Sequence, residues 1–130
     1  MIRFTKKEEA FLGGQDVARI ATVSPRGWPQ VTPVVHLYHD GRIYFITDYG
    51  TRKYKNIVKN KKVGAAIDVY SRQPSSVIVQ GTAEILERGE EFARIEKLFE
   101  ERHRYYKANP VKEGDAPMIK ITPVKKFSSF

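Results

Sequence analysis

The sequence predicts an α+β domain that is mainly β. It has about six antiparallel strands in a barrel-like arrangement, short connecting helices and one longer helix. Three observations predict this. Strand-like segments follow one another closely from Val17 to Thr47, with a hairpin signal at Asp40-Gly41. Two further segments, VGAAIDVY and SVIVQGTAEILE, are separated only by a polar loop containing Pro74. The chain is 130 residues long, the size of one domain, so residues 1–130 are expected to share one core. A domain of that size buries roughly two-thirds of its unfolded surface without staples.

The elements follow in order. Thr5-x-x-Glu8 is a capping-box pattern that opens a short helix, and Gly13-Gly14 ends it. Alternation from Val17 to Ser24 reads as a strand, closed by the turn SPRGWPQ. A second strand is expected over Gln30–His39 and a third over RIYFIT, the three forming an antiparallel meander. TRKYKNIVKN reads as a helix capped by Thr51, with Tyr54, Ile57 and Val58 on its apolar face. After the two strands VGAAIDVY and SVIVQGTAEILE, a long amphipathic helix is expected over Glu90–Tyr106, with Phe92, Ile95, Phe99 and Tyr106 on one side. The loop ANPVKEGDAP leads to a last strand, MIKITPVKKF.

Composition narrows the chemistry. There are no cysteines, so disulfides and thiolate metal sites are excluded and a reducing compartment is expected. No apolar run approaches the roughly 20 residues of a membrane span, and none suits a signal peptide. The expectation is therefore a cytoplasmic protein. The net charge of +8 is concentrated between Arg42 and Lys62, where seven basic residues face one acid, Asp48. Such a patch attracts phosphate groups, on nucleic acid or on a small molecule.

Most site classes find little footing. His36 and His39 lie three apart in the expected strand, so alternation points them to opposite faces, and His103 falls on the long helix. No metal site is therefore expected. No nucleophile motif or carboxylate pair stands out, so no catalytic side chain is assigned. If the protein is an enzyme, the demanding chemistry belongs to a cofactor. A nucleic-acid-binding barrel would use the basic patch with Tyr44, Phe45, Tyr49 and Tyr54, but alternation splits Tyr44 from Phe45.

The stretch DYGTRKYKN (residues 48–56) suits an anion better. Gly50 permits a bend, Thr51 supplies a hydroxyl, and the next amides open a helix N-terminus, where free N–H groups and the dipole favour phosphate. Arg52 can grip two oxygens with its planar fork, and Lys53 adds a point charge. Lys55, Lys59, Lys61 and Lys62 read as solvated charge.

The order RIATVSPRGWPQVTPVVHLY, DGRIYFIT, DYGTRKYKNIVKN, VGAAIDVY, SVIVQGTAEIL resembles the FMN-binding split-barrel family related to pyridoxamine 5′-phosphate oxidase. The likeness covers Val17 to Leu86, with a looser match in ITPVKKFSSF. It implies a homodimer of six-stranded split barrels with FMN at the subunit interface. Arg52 and Lys53 match the residues that grip the flavin phosphate, and Thr51 matches a helping hydroxyl. The strand Val31–His36, with Val34, Val35 and His36, matches the one beside the flavin ring. Ile46 and Thr47, followed by Asp48, match the contacts at the end of the next strand. Ser76 falls where the second subunit adds a polar contact.

The departures also matter. The oxidase itself carries basic residues at the positions of Val31 and His36, continues past the last strand with substrate-binding residues, and has a slightly shorter loop before Ser76. FMN binding therefore carries over better than oxidation of pyridoxamine 5′-phosphate. Related subfamilies bind a deazaflavin or haem. The expectation is an FMN-dependent oxidoreductase of unknown small-molecule substrate. The alternatives are a non-catalytic flavin-binding module and, third, a nucleic-acid-binding barrel. Trp28 and the Tyr105-Tyr106 pair are candidates for the edge of the site, or plain packing residues.

Overall fold

In the computed structural model, which describes residues 2–130, the chain runs through seven strands and four helices. The order is α1 (Lys6–Gly14), β1 (Val17–Val23), β2 (Pro29–Val35), β3 (Leu37–His39), β4 (Arg42–Ile46), α2 (Arg52–Lys59), β5 (Lys62–Val69), β6 (Ser75–Leu86), α3 (Glu90–Arg102), α4 (Arg104–Ala108) and β7 (Met118–Ser129). All strands pair antiparallel in one sheet of order β2-β1-β5-β6-β7-β4-β3. The two edge strands, β2 and β3, are separated in the chain by His36 alone. A sheet whose opposite edges are joined by one residue has to curl upon itself, and β2 also contacts β4 across the opening. The mainly β, split-barrel class expected from sequence is what the chain adopts.

Three expectations about the elements are corrected. The strand expected over 30–39 is two strands, making seven rather than six, because His36 bonds outside the ladder. Its N–H donates to the Asp16 carbonyl at 3.0 Å, and its Nε2 donates to the Leu12 carbonyl at 2.9 Å. The meander does not form either. β1–β2 and β3–β4 are each hairpin pairs, but β5, β6 and β7 lie between them in the sheet. The turn within the second pair is as expected: Asp40 and Gly41 both have positive φ, 47° and 80°, as a two-residue hairpin demands. The long helix is also interrupted. His103 is extended, with φ −123° and ψ 125°, so α3 stops and α4 sets off afresh.

Alternation sorts the core into two parts. The barrel interior holds Leu12, Ile20, Ile43, Phe45, Ile57, Ile67, Val77, Val79, Ile119 and Ile121. The opposite face of β4 and β7 sends Tyr44 and Met118 under the helices, against Phe92, Ile95, Phe99 and Tyr106. Tyr44 and Phe45 are thus split between two cores, as alternation requires. β6 and β7 pair along most of their length, with a bulge between Gln80 and Gly81. A Cβ on Gly81 would fall 2.6 Å from the Thr122 carbonyl oxygen, which explains the glycine there.

Helix α1 is tied down at its start. The Thr5 hydroxyl accepts from the Glu8 N–H at 3.1 Å, and the Glu8 carboxylate accepts from the Thr5 N–H at 2.7 Å. Glu8 is buried and also accepts from Lys126 Nζ at 2.6 Å and from the Ser128 hydroxyl. Burial alone would raise its pKa, but these hydrogen bonds and the Lys126 charge overcome that and hold it down at about 2.

Candidate cofactor-binding site

β4 ends at Ile46, and the chain turns through Thr47–Thr51 into α2. The turn is closed twice on the Asp48 carbonyl, by the Thr51 N–H at 3.2 Å and by the Thr51 hydroxyl at 2.9 Å. Thr51 is the N-cap, and its Oγ accepts from the Tyr54 N–H at 3.3 Å. The Thr47 and Thr51 hydroxyls lie 3.1 Å apart. Because Thr51 spends its proton on Asp48, Thr47 is the donor of that pair. The hydroxyl expected to help hold a phosphate is therefore already engaged in shaping the helix start.

Gly50 plays a smaller part than the sequence suggested. It is not among the positive-φ glycines, and a Cβ there would meet nothing within 4 Å. What the turn does leave available is the pair of first-turn amides at Arg52 and Lys53, which precede the first capped and helical N–H groups. Arg52 is exposed and Lys53 half-buried, and among the described residues neither forms an ion pair. Two amides, two unpaired cations and a helix N-terminus are a donor set that fits a phosphate monoester.

The apolar face of α2 differs from expectation. Ile57 is fully buried and Tyr54 packs on the barrel core, but Val58 is exposed and Asn56 is buried in its place. Asn56 Nδ2 donates to the Thr22 hydroxyl of β1 at 3.0 Å, which fixes the helix against the sheet. Lys61, expected to be free charge, donates to the carbonyls of Ile57 and Val58 at 3.0 and 2.9 Å and so caps the helix C-terminus. Lys55, Lys59 and Lys62 are exposed.

On the other side of Thr47 a cleft of about 250 Å³ opens. Ile46, Thr47 and Asp48 form one wall, and Tyr105, Tyr106, Asn109, Val111 and Ala116 the other. The break at His103 makes the second wall possible, because it turns α4 toward β4. Tyr106 is buried against Phe99 at 5.1 Å between ring centres, and Tyr105 stands perpendicular to Tyr106, also at 5.1 Å, with 65% of its surface exposed. Burial raises the Tyr106 pKa, with Tyr105 and the Asp48 carboxylate adding to the rise. The loop after α4 is held by Glu96, which accepts from the Val111 N–H at 2.8 Å, and by the Thr47 N–H, which donates to Pro117 at 3.1 Å. Burial and the neighbouring Glu100 raise the Glu96 carboxyl to about 6.

The remaining candidate residues fall elsewhere. Val34 packs on the barrel core and Val35 on the helical core, so β2 divides them between its faces. His36 is buried, its ring turned to α1, its Nδ1 without a partner, and its pKa lowered by burial. The alternation argument for His36 and His39 fails, since no continuous strand joins them. Ser76 pairs with Asp68 and Ser129 and lines a separate cleft with Tyr70 and Pro74. Trp28 is 74% exposed at the β1–β2 turn. Among the described residues no group of three or more His, Asp or Glu side chains is placed to hold a metal. Among the described residues no helix is long and apolar enough to cross a membrane. Sequence reasoning missed Asn109, Val111 and Ala116. Only the nearness of Tyr105-Tyr106 to the Gly/Pro-rich loop hinted at that wall.

Comparison with known proteins bears on the family and the fold. The family model described as pyridoxamine 5′-phosphate oxidase matches residues 4–127. A 5a,11a-dehydrotetracycline/5a,11a-dehydrooxytetracycline reductase of Streptomyces rimosus is 37% identical over 94 residues, covering 66% of each chain. The match thus spans just under two-thirds of that relative's length. Among solved structures, the haem storage protein HutZ of Vibrio cholerae superposes with a TM-score of 0.85 at 15% identity, covering 98% of this chain and 96% of that one. A FAD-binding protein of Mesorhizobium loti gives 0.74 at 18% identity, covering 96% and 93%. At such identities the structural likeness speaks for the fold alone.

Proposed function

The chain belongs to the pyridoxamine 5′-phosphate oxidase family, and on that premise we propose that it binds FMN as a homodimer and transfers electrons between the flavin and a small-molecule substrate. The observation that carries this reading is the start of α2, where Arg52 and Lys53, without ion pairs among the described residues and with uncapped amides, open the helix just past the end of β4. Arg52 and Lys53 would hold the flavin phosphate. Thr51 acts through the helix start that it caps, and Thr47 through Thr51. Ile46 and Asp48 present the end of β4 to the ligand. Bound FMN would supply the redox chemistry, and the protein would supply position, charge and shelter from water.

The outer face of the sheet supports the dimer. A groove of about 510 Å³ runs along it, lined by Ala21, Val23, Pro29, Gly64 and Val124 among others. The register sets Val31 beside Ala21 and Gly64 in one cross-strand row, and Ala66 beside Ile78 and Phe127 in the next. Val31, Ile78, Val124 and Phe127 are all exposed. Arg19, Gln80 and Lys125 interrupt these rows, and a face of apolar residues interleaved with polar ones suits a second copy. Ser76, remote from Arg52 in the chain's own clefts, would then serve the partner's cofactor.

Haem has less support. A haem iron needs an axial ligand; there is no cysteine, and His36 and His103 both commit Nε2 to backbone carbonyls inside the fold, which leaves His39, half-buried at the end of β3 and away from the start of α2, as the histidine for that role. Nucleic acid has less still, because Tyr44 and Phe45 are buried and cannot stack on bases. The test is the absorbance spectrum of the purified protein after addition of FMN and removal of unbound ligand. Flavin bands on a species of twice the chain's mass are expected. A colourless protein that takes up no FMN would sink the reading, and a Soret band after haem addition would replace it.

A further inference from the structure

We propose that the segment after α4, residues 109–113, is a proton-operated strap. Glu96 and Glu100 hold it to α3 while they share a proton, and let it go when both are ionised. Val111 is the point of attachment. It lies between two clefts, the one beside Thr47 and another of about 370 Å³ against α3, which Phe92, Glu96 and Glu100 line. Loosening the strap therefore moves one wall of the cleft beside Thr47. That consequence rests on reading this cleft as the cofactor's place; the strap itself does not.

The strap has one releasable hold. Pro110 has no N–H, the Asn109 N–H donates to the Tyr105 carbonyl at 2.9 Å, and the Lys112 N–H turns inward to Asp115 at 3.4 Å. Among the described residues, the bond from the Val111 N–H to Glu96 Oε2 at 2.8 Å is the only hydrogen bond from residues 109–112 to α3. The far end is pinned separately, by the Gly114 N–H on the Glu87 carbonyl at 3.1 Å and by Glu113, which accepts from the Gly89 N–H at 3.4 Å.

The hold sits on an uncompensated carboxyl pair. Glu96 is only 7% exposed, and Glu100, half-buried, follows one helical turn later on the same cleft. The other charged groups facing that cleft are Lys97 on α3 and Lys112 and Glu113 on the strap. Among the described residues neither lysine is ion-paired with Glu96 or Glu100. Two such carboxyls settle by keeping one proton between them, which leaves Glu96 an oxygen for Val111. Without the proton, a buried carboxylate faces a like charge. Turning Glu96 out to water relieves both, and Val111 loses its acceptor.

The sign follows from linkage. Burial first and Glu100 second raise the Glu96 carboxyl from 4.5 to about 6 in the closed strap. Opening returns it to water and to its ordinary value. The closed form is thus favoured in full below pH 4.5, and that advantage is lost as pH rises through 6. The difference corresponds to about thirtyfold in the ratio of closed to open strap.

The experiment follows the Val111 amide of the full-length, ligand-free protein by NMR from pH 4 to pH 8. Its shift should titrate with a midpoint near pH 6. The midpoint should fall in Glu100→Gln and vanish in Glu96→Gln, whose amide oxygen still accepts from Val111. Protection of this amide from hydrogen exchange, corrected for the intrinsic rate, should drop about thirtyfold from pH 4.5 to pH 7 in the native chain and stay level in Glu96→Gln. If Glu96→Gln does not fold, Glu100→Gln carries the comparison, since its site is half-buried only. A Val111 amide without a midpoint between pH 5 and 7, or one that titrates alike in the native chain and the variants, overturns the proposal. The second arm measures FMN dissociation at pH 5 and pH 7.5. Release should quicken at the higher pH more in the native chain than in Glu96→Gln, and an equal change in both overturns the link to the cleft. A Val111 amide that titrates as expected in a protein that never binds FMN keeps the strap and removes the flavin reading.

Discussion

His103 Nε2 donates to the main-chain carbonyl of His36 at 2.9 Å, and both groups are buried. One bond thereby joins the single residue linking the two sheet edges to the break between α3 and α4. Asp16 lies 3.9 Å from the other ring nitrogen of His103 and is paired with Arg102 at 2.8 Å, while Arg102 also donates to Gly13. The end of α1, the edge-strand junction and the start of α4 are held as one unit.

Replacing His103 with Ala leaves the His36 carbonyl buried without a donor. An unsatisfied buried polar group costs about 1–3 kcal/mol, so His103→Ala should lower unfolding free energy by about 2 kcal/mol in urea titration. A loss near zero would mean that the bond contributes nothing to closing the sheet.

The double variant Arg52→Ala/Lys53→Ala should weaken FMN by about a hundredfold or more, since each charge-assisted hydrogen bond contributes about 1.5–3 kcal/mol and two are lost. Its circular dichroism and melting should stay close to those of the native chain, because neither cation is ion-paired in the fold. Fluorescence quenching of added FMN reads the affinity directly, and an unchanged value removes the clamp.

Glu8 sets an acid limit. Its folded pKa is depressed to about 2, below its ordinary value of 4.5. The stability it contributes is therefore present above about pH 4.5 and is lost as pH falls from there toward 2. Glu8→Gln should reduce stability at pH 7 and flatten this acid limb in a series of urea midpoints. A variant with the native pH profile would show that the limb arises elsewhere.

Gly81→Ala forces a methyl against the Thr122 carbonyl, Ile121 and Pro123. Overpacking of this sort costs about 1–3 kcal/mol, and here the nearest obstacle is backbone that cannot step aside. Gly64→Ala is the control: its Cβ would sit 3.6 Å from its neighbours, an ordinary contact. Thermal melts should separate the two, and equal melting temperatures would refute the steric account.

The local signals in the sequence were sound. The capping box at Thr5 and Glu8, the Asp40-Gly41 hairpin and the Thr51 cap all depend on neighbours within a few residues, and all stand in the structure. Partnerships over longer range were hidden. Nothing near His36 says that its backbone will bond to Asp16 and His103, so an apolar run read as one strand is two. Nothing near Asn56 names Thr22, so a polar residue took the buried place given to Val58. The start of α2 was legible because its donors are contiguous. The facing wall was not, because Tyr105 and Asn109 reach β4 only through the turn at His103.

The position of β7 has a consequence for synthesis. Residues Met118–Ser129 are made after the other six strands, yet they lie between β6 and β4 and supply the ladder that joins the two halves of the sheet. Until that strand emerges from the ribosome, β4 and β6 each present an open row of backbone donors and acceptors, and the nascent chain has no way to close. Folding is thus a late, all-at-once event dominated by contacts distant in sequence, which makes it slow for a chain of this size. The exposed β4 and β6 edges are where a stalled or shortened chain would pair with another.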